Sequence, residues 1–262
     1  MDNYWTAAVD YDQYATKIQK RNADQLVNYI PKDVLYHHAL DAGCGTGFVT
    51  AAMLKSLSVT AVTAVTAVDQ SAQMLAQAAH NLAPFSDKKI NFLNQSIQDL
   101  SLSIPFNLII SNAVLHWTYP HIGDAIDHLA KLIKSGGYFA FTTAGRTLAS
   151  DRFDSALTSA IRAVGGKIAN PAFSHRRMSA DEAIGLCQKA GLETIDALTI
   201  ERTVQMTPSE YVTWAFSSGS AWEEIPSGKA ALVNELASHA DTFKMGHWST
   251  LIVTRSNGRK YD

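Results

Sequence analysis

Short apolar runs alternate with segments of helical periodicity through the first half of the chain. The strand-length runs lie at residues 35–40, 59–68, 90–93, 106–111 and 138–143. The predicted helices lie between them, at 47–57, 71–83 and 124–133, with Ser71 as an N-cap and Ser135-Gly136-Gly137 as the stop of the third. Strand–helix alternation of this kind predicts a mainly parallel sheet with helices on both faces.

The pattern changes beyond Thr143. Ser179 and Glu182 form a predicted capping box, and Pro208 fits the first position of a further helix. Predicted helices at 151–164, 179–190, 207 onward and 228–240 accompany longer strands at 192–204 and 248–254. Because no linker or low-complexity segment divides the chain, we predict a single domain over 1–262.

Composition narrows the function classes. The 262 residues hold 22 Lys+Arg and 24 Asp+Glu, a net charge of −2, which argues against a nucleic-acid binder. The two cysteines lie in no Cys/His cluster, so we expect no metal site. We expect no secretory signal, because the first residues lack a basic region and an apolar core, and no apolar run approaches the roughly 18 residues of a membrane span. We therefore expect a cytoplasmic protein without membrane contact.

The segment LDAGCGTG, residues 40–47, carries the chemistry. It places Asp41, Gly43, Gly45 and Gly47 at alternate positions where a strand turns into a helix. Glycines there permit positive φ and close approach of a ligand, at the sheet edge where α/β proteins bind ligands. Asp69 ends the second strand, where a carboxylate can accept both hydroxyls of a ribose.

Other nucleotide motifs fit this segment less well. A dinucleotide fingerprint needs G-x-G-x-x-G, whereas this spacing is G-x-G-x-G. A P-loop ends in Gly-Lys-Ser/Thr, which is absent here.

The pattern D-x-G-x-G-x-G, followed by an acidic residue after strand two, resembles motif I of class I S-adenosylmethionine-dependent methyltransferases. The stretch SNAVLHW, residues 111–117, is similar to the motif after strand four in that family. The nearest subgroup resembles bacterial trans-aconitate and malonyl-carrier-protein O-methyltransferases. The resemblance covers residues 10–145 and implies a Rossmann-like sheet of seven strands, mostly parallel, with the last strand antiparallel and helical insertions over the active site.

The resemblance assigns residues to S-adenosylmethionine and to its product S-adenosylhomocysteine. It implies that Asp41, Gly43 and Gly45 line the methionine end and that Asp41 takes the ligand ammonium directly or through water. Asp69 would bind the ribose hydroxyls, and Asn112 would face the cofactor from strand four. The adenine would be flanked by Gln70, Met74, Ser96 and Ile97. Ser96 stands where the family commonly has an acidic residue.

The same resemblance divides the chain by role. Residues 1–30 would form a helical lid, in which Tyr11 and Tyr14 lie near the methionine part and Lys20 or Gln19 reaches its carboxylate. The alternative is a surface amphipathic helix whose tyrosines pack on the sheet edge. Residues 34–145 would form the cofactor-binding core, and 146–178 and 205–246 would build the acceptor pocket.

His116 and Tyr14 are the catalytic candidates. The transfer is an in-line displacement, so the enzyme mainly aligns the acceptor and excludes water. His116 is suited to serve as a base or as an acceptor-orienting group, because an unperturbed histidine titrates near pH 6.5. Structural packing of its ring is an equally weighted alternative.

These features predict transfer of a methyl group to an oxygen or nitrogen of a small organic acceptor that is partly apolar or aromatic. The alternative is methyl-ester formation on a malonyl group bound to a carrier protein, with Arg146, Arg176 or Arg177 pairing with the free carboxylate. An RNA methyltransferase and a cofactor-binding relative without catalysis rank lower.

Overall fold

The computed structural model describes residues 16–56, 62–168, 172–217, 222–238 and 243–257. In these ranges the strands are β1 Tyr36–Ala42, β2 Val62–Asp69, β3 Lys89–Asn94, β4 Phe106–Asn112, β5 Ile133–Ala144, β6 Lys167–Ile168, β7 Leu192–Met206, β8 Trp222–Glu224 and β9 Phe243–Ser256. The α-helices are α1 Arg21–Tyr29, α2 Phe48–Ser56, α3 Ala72–Asn81, α4 Ile122–Lys131, α5 Leu148–Ala163, α6 Ala180–Lys189, α7 Pro208–Ser217 and α8 Gly228–Ala237. A π-helix spans Thr16–Lys20, and short 3₁₀ helices span Ala83–Phe85, Leu115–Thr118 and Phe173–Arg176.

Seven strands form one sheet in the order β3-β2-β1-β4-β5-β9-β7. The pairs from β3 to β5 are all parallel, and β9 runs antiparallel to both β5 and β7. The predicted fold class is therefore confirmed, including the antiparallel last strand. After β1 the chain continues to β2 on one side of the sheet, and after β4 it continues to β5 on the other side. The carboxyl ends of the neighbouring strands β1 and β4 therefore flank the crevice where such sheets bind ligands.

Both faces of the sheet are covered by helices. On one face Leu40, Ile109 and Phe139 pack with apolar residues of α4 and α6. On the other face Val65 and Leu108 belong to a cluster with α1 and α2. The strands therefore bury both faces, which explains why they appear in the sequence as short continuous apolar runs.

Two predicted helix caps are present. Ser71 Oγ accepts a hydrogen bond from the Met74 backbone N–H, and Ser179 and Glu182 form the reciprocal capping box. The Ser179 Oγ accepts from the Glu182 backbone N–H at 3.2 Å, while Glu182 Oε2 accepts from the Ser179 N–H at 2.7 Å. These local bonds fix where α3 and α6 begin.

The predicted stop of the helix at 124–133 was wrong. That helix, α4, ends at Lys131, and Gly136 and Gly137 lie inside β5. Ile133 already pairs with Phe106, and the register then shifts before Tyr138 pairs with Leu108. The two glycines therefore serve an irregular stretch of strand, where a glycine pair is compatible with a bulge, and not a helix C-cap.

A third apolar cluster lies apart from the two faces of the sheet. It joins Ile161 of α5, Val212 of α7 and Leu232 of α8 with Met206 at the end of β7. The small antiparallel pair β6-β8, which the sequence did not predict, belongs to the same half of the chain. Within the described ranges, every helix is too short or too polar to cross a membrane.

Candidate active site

The loop after β1 is shaped by its glycines and by bonds to β2. The backbone N–H groups of Gly43 and Cys44 both donate to the Val68 carbonyl at 2.8 Å. Gly43 has φ +78°, and a Cβ there would lie 2.4 Å from Val114 Cγ2. Gly45 has φ +52°, but its Cβ would meet no atom within 4 Å. The loop therefore needs glycine at 43 for packing, whereas Gly45 faces open space.

Asp69 joins the end of β2 to this loop. Its Oδ2 accepts a hydrogen bond from the Gly45 N–H at 2.9 Å, and its Oδ1 accepts from the Ser71 N–H at 2.9 Å. Burial raises the pKa of this carboxyl, while the two backbone bonds lower it. Each oxygen keeps a second lone pair, and Asp69 lines the cavity, so the carboxylate is placed to accept two ligand hydroxyls.

Asp41 does not lie on the cavity surface, contrary to the expectation that it lines the methionine end. Its side chain is fully buried at the sheet–helix junction. The Oδ2 atom accepts from the Thr50 N–H at 3.1 Å and from Thr50 Oγ1 at 2.7 Å. Burial raises the Asp41 pKa to about 7. In this geometry Asp41 holds the start of α2 through Oδ2, while its buried Oδ1 has no hydrogen-bond partner among the described residues.

One cavity of about 270 Å³ begins at the glycine loop and crosses the carboxyl edge of the sheet. The predicted residues Gly43, Gly45, Asp69 and Asn112 line it, and so do the four residues assigned to the adenine, Gln70, Met74, Ser96 and Ile97. Met74 and Ile97 are buried apolar side chains, whereas Gln70 is exposed at the rim. The structure thus brings together residues from the carboxyl ends of four strands, β1 to β4. Their roles toward a ligand remain predictions.

The N-terminal segment reaches the cavity through Gln19. Gln19 lines it, whereas the Lys20 side chain is exposed and is not part of the wall. Asn112 Nδ2 donates to the Gln19 main-chain carbonyl at 3.1 Å, which fixes this edge. Of the two alternatives for the carboxylate contact, Gln19 lies in the cavity wall and Lys20 does not, and the contact itself stays a prediction. Tyr11 and Tyr14 lie outside the described residues.

His116 lies in the cavity wall between aromatic rings. It is 5% exposed, with ring centroids 4.9 Å from Trp117 and 5.6 Å from Phe173. The Ala144 N–H donates to His116 Nδ1 at 3.3 Å. A nitrogen that accepts this bond carries no proton, so the neutral ring holds its proton on Nε2. That tautomer favours an orienting donor over a general base.

The far end of the cavity is aromatic and contains a buried ion pair. Arg177 Nε donates to Asp154 Oδ2 at 2.6 Å, and Nη2 donates to Oδ1 at 3.0 Å. The predicted acceptor segments supply the aromatic walls, with Phe153 and Phe173 from 146–178 and Tyr211 and Trp214 from 205–246. This end therefore suits a partly apolar ligand with at least one polar group.

The other two candidate arginines are engaged elsewhere. Arg146 donates to Glu182 Oε1 at 2.8 Å and to the Arg177 carbonyl at 2.7 Å. The Arg176 guanidinium carbon lies 5.0 Å from the centroid of Trp117. Among the three, only Arg177 lines the cavity.

Several residues of the cavity wall were not predicted from the sequence. Asp154 gives no pattern that links it to Arg177, because 23 positions separate them and α5 carries many exposed polar residues. Thr143 and Ser249 line the cavity from the neighbouring strands β5 and β9, in which Ala144, next to Thr143, pairs with Ser249. The expected lack of a metal site stays a prediction, although the described residues contain no cluster of three or more His, Cys, Asp or Glu suited to a metal.

The chain is similar in sequence to known methyltransferases. The family described as a methyltransferase domain matches residues 40–139. Malonyl-[acyl-carrier protein] O-methyltransferase of Enterobacter lignolyticus is 32% identical over 206 residues, covering 76% of this chain and 74% of that protein. The protein of the same name in Acetivibrio thermocellus is 31% identical over 148 residues, 55% of this chain and 48% of its own. The matched part of the chain thus spans about half the length of several curated relatives.

Solved structures show the same fold. The YcgJ protein of Bacillus subtilis superposes with a TM-score of 0.63 at 15% identity, covering 91% of this chain and 99% of that one. The N-methyltransferase NodS of Bradyrhizobium japonicum, in complex with S-adenosyl-L-homocysteine, gives a TM-score of 0.55 at 16% identity, covering 98% and 100%.

Proposed function

Because the chain belongs to the class I S-adenosylmethionine-dependent methyltransferases, we propose that it transfers a methyl group from S-adenosylmethionine to an oxygen or nitrogen of a small organic acceptor. The observation that carries this proposal is a single cavity with two chemically different ends. One end holds the glycine loop and Asp69, and the other is aromatic with the Arg177–Asp154 pair. Such a cavity allows a cofactor and an acceptor to meet.

The residues of the first end fit the cofactor. Asp69 offers two oxygens to the ribose hydroxyls, and the buried side chains of Met74 and Ile97 offer apolar surface to the adenine. Open space beside Gly45 leaves room for the methionine portion. When bound, S-adenosylmethionine supplies a methyl group activated by a sulfonium.

The protein's contribution is alignment and exclusion of water. The aromatic walls and His116 hold the acceptor so that its nucleophilic atom faces the cofactor, which replaces a bimolecular encounter by a fixed geometry. A carboxylate acceptor has no proton to lose, and an amine can lose its proton after transfer. For these two kinds of acceptor no general base is required of His116, in keeping with its Nδ1 hydrogen bond.

A second candidate is methyl-ester formation on a malonyl group held by a carrier protein. The relative from Enterobacter lignolyticus supports it. Arg177 lies in the wall where a free carboxylate could be received, but Asp154 already takes one edge of its guanidinium. The first candidate makes no use of a carrier protein, so assays with both acceptor types separate the two.

The cofactor assignment is tested by calorimetry. Titration with S-adenosylmethionine compares the wild type with Asp69→Ala, Gly45→Val and the control Asp87→Ala, whose side chain is exposed. We expect micromolar binding that falls about tenfold or more in the first two variants and is unchanged in the control. A folded wild type that does not bind contradicts the proposal.

The acceptor is tested by transfer of a radioactive methyl group. Small carboxylic acids, phenols and amines, a malonyl-loaded carrier protein and total RNA are offered separately. Transfer to a small molecule supports the first candidate, and transfer to the carrier supports the second. Transfer to RNA alone, or binding of the cofactor with no transfer, contradicts both.

A further inference from the structure

The acceptor end of the cavity contains an arginine whose guanidinium is held by four neighbouring residues. Arg177 is 8% exposed, and its guanidinium carbon lies 5.2 Å from the centroid of Phe173 and 5.5 Å from that of Trp248. Asp154 binds one edge through two bonds, and Nη1 donates to the Gly145 carbonyl at 3.2 Å. The guanidinium is therefore held in one orientation before any ligand arrives.

Two N–H donors of the Arg177 guanidinium have no acceptor among the described residues. A guanidinium has five N–H bonds, of which Asp154 takes two and Gly145 takes one. Within the part of the chain that the structure describes, three of the five N–H bonds of Arg177 are therefore used. The side chain is part of the cavity wall and only a small part of its surface is exposed. Since Arg177 has donors and no acceptor, whatever pairs with the rest must bring an oxygen or another hydrogen-bond acceptor.

The ion pair is a costly way to stabilise this region. Two charges buried together lose hydration, and apolar residues of similar volume commonly stabilise a fold equally well. Asp154 is only 13% exposed and Arg177 only 8%, so both bear this cost. A pair kept in the wall of a ligand cavity, under aromatic rings, is better explained by recognition than by stability.

We infer that the Arg177–Asp154 pair selects the acceptor: it recognises a carboxylate or carbonyl oxygen on a planar, largely apolar molecule. This inference rests on the proposed function, because it names the acceptor class for the same cavity. The aromatic side chains of Phe153, Phe173 and Trp248 contact the flat body, and the remaining N–H donors of Arg177 bind the oxygen. Because Asp154 neutralises the arginine, selection comes from donor geometry more than from net charge.

The test uses three probes that share a benzene ring. Wild-type protein saturated with S-adenosylhomocysteine is titrated with benzoate, benzamide and benzylammonium, with binding followed by NMR. We expect benzoate to bind most tightly and benzylammonium at least about tenfold more weakly. Equal affinities, tighter binding of benzylammonium, or no binding of any probe at millimolar concentration would overturn the inference.

A double variant keeps the test independent of folding. Asp154→Leu with Arg177→Met removes both charges and leaves no unpaired ion, so we expect a folded protein with unchanged affinity for S-adenosylhomocysteine. Its preference for benzoate should disappear. The matched control, Asp127→Leu with Lys131→Met, removes an exposed ion pair of 2.8 Å on α4 and should keep the preference.

The two proposals fail differently. If the wild type does not bind S-adenosylhomocysteine, the proposed function fails. If it binds S-adenosylhomocysteine but the double variant retains the benzoate preference, only the role of the Arg177–Asp154 pair fails.

Discussion

Asn112, the last residue of β4, donates a hydrogen bond from Nδ2 to the main-chain carbonyl of Gln19, 3.1 Å away. Its Oδ1 accepts from Thr142 Oγ1 at 2.6 Å, so the amide is held at both ends. Gln19 belongs to the π-helix at Thr16–Lys20 and lines the cavity. A single side chain therefore ties the N-terminal segment to the centre of the sheet at the cavity wall.

Removing the hydrogen bond from Asn112 to Gln19 should weaken cofactor binding more than it slows the methyl-transfer step. We expect Asn112→Ala to raise the KM for S-adenosylmethionine about 5- to 50-fold, because one hydrogen bond is lost and a main-chain carbonyl is left without its donor. The kcat should change less. Steady-state kinetics measures both quantities.

The control for this variant is Asn107→Ala on the same strand. Asn107 Oδ1 accepts from the His38 N–H at 3.2 Å, at the opposite end of β4 from the cavity. It should alter stability without altering KM. Equal KM values for the wild type and Asn112→Ala would contradict a role of the hydrogen bond from Asn112 to Gln19 in binding.

Gly43 and Gly45 should respond differently to alanine. At Gly43 a Cβ would clash with Val114 at a backbone φ of +78°, so we expect a loss of about 2–4 kcal/mol in the free energy of unfolding. At Gly45 the only conformational cost is φ, about 1–2 kcal/mol, but the methyl group enters the cavity. Urea unfolding and calorimetry with S-adenosylmethionine should separate a stability defect at 43 from a binding defect at 45. Identical profiles would contradict this division.

Asp41 should make the protein less stable as pH rises. Burial raises its pKa to about 7 in the folded state, against about 3.9 in an unfolded chain. Between these values the folded state binds more protons, so this group lowers stability with increasing pH by at most about 1.4 kcal/mol per pH unit, and the effect ends above pH 7.

The Asp41→Asn variant isolates this effect. Its free energy of unfolding minus that of the wild type should grow from pH 5 to 7 and then level off. Burial raises the pKa of Asp69 too, but Asp69 is present in both proteins and largely cancels in the difference. Urea unfolding at four pH values measures it, and a flat difference would show that Asp41 titrates normally.

The sequence predicted the sheet well because each strand is marked locally. Strands buried on both faces are short apolar runs, and Ser71 and the Ser179–Glu182 box mark helix starts through bonds within three residues. The two glycines at 136 and 137 misled the prediction, because a glycine pair is compatible with both a helix stop and a strand bulge.

The two ends of the cavity differ in how far the sequence could predict them. The first end follows from one contiguous motif and the strand-end residue Asp69, so spacing alone locates it. The second end depends on contacts across long separations. Arg177, in the loop after the 3₁₀ helix Phe173–Arg176, meets Asp154 of α5, and Trp248 lies on β9. Asp41 fits the motif but is buried, because Thr50 on the following helix holds its carboxylate.

The hydrogen bond to His116 favours an orienting role for this residue over acid–base catalysis. The Ala144 N–H donates to Nδ1, so the neutral ring holds its proton on Nε2, and its one basic lone pair, on Nδ1, is engaged by that bond. Replacement by Asn keeps a donor in a smaller side chain but loses the ring contacts with Trp117 and Phe173. We expect kcat to fall about 10- to 100-fold through misplacement of the acceptor.

The pH dependence of kcat decides between the two roles. If His116 orients the acceptor, the profile of His116→Asn should run parallel to that of the wild type, displaced downward at every pH. His121→Asn is the matched control. His121 is exposed, its Nδ1 lies 3.0 Å from Asp124 Oδ2, and it is not part of the cavity wall. The rates of this variant should equal those of the wild type. A wild-type profile with an acidic limb that disappears in His116→Asn would instead identify His116 as the general base, and would require Nε2 to lose its proton in the active enzyme.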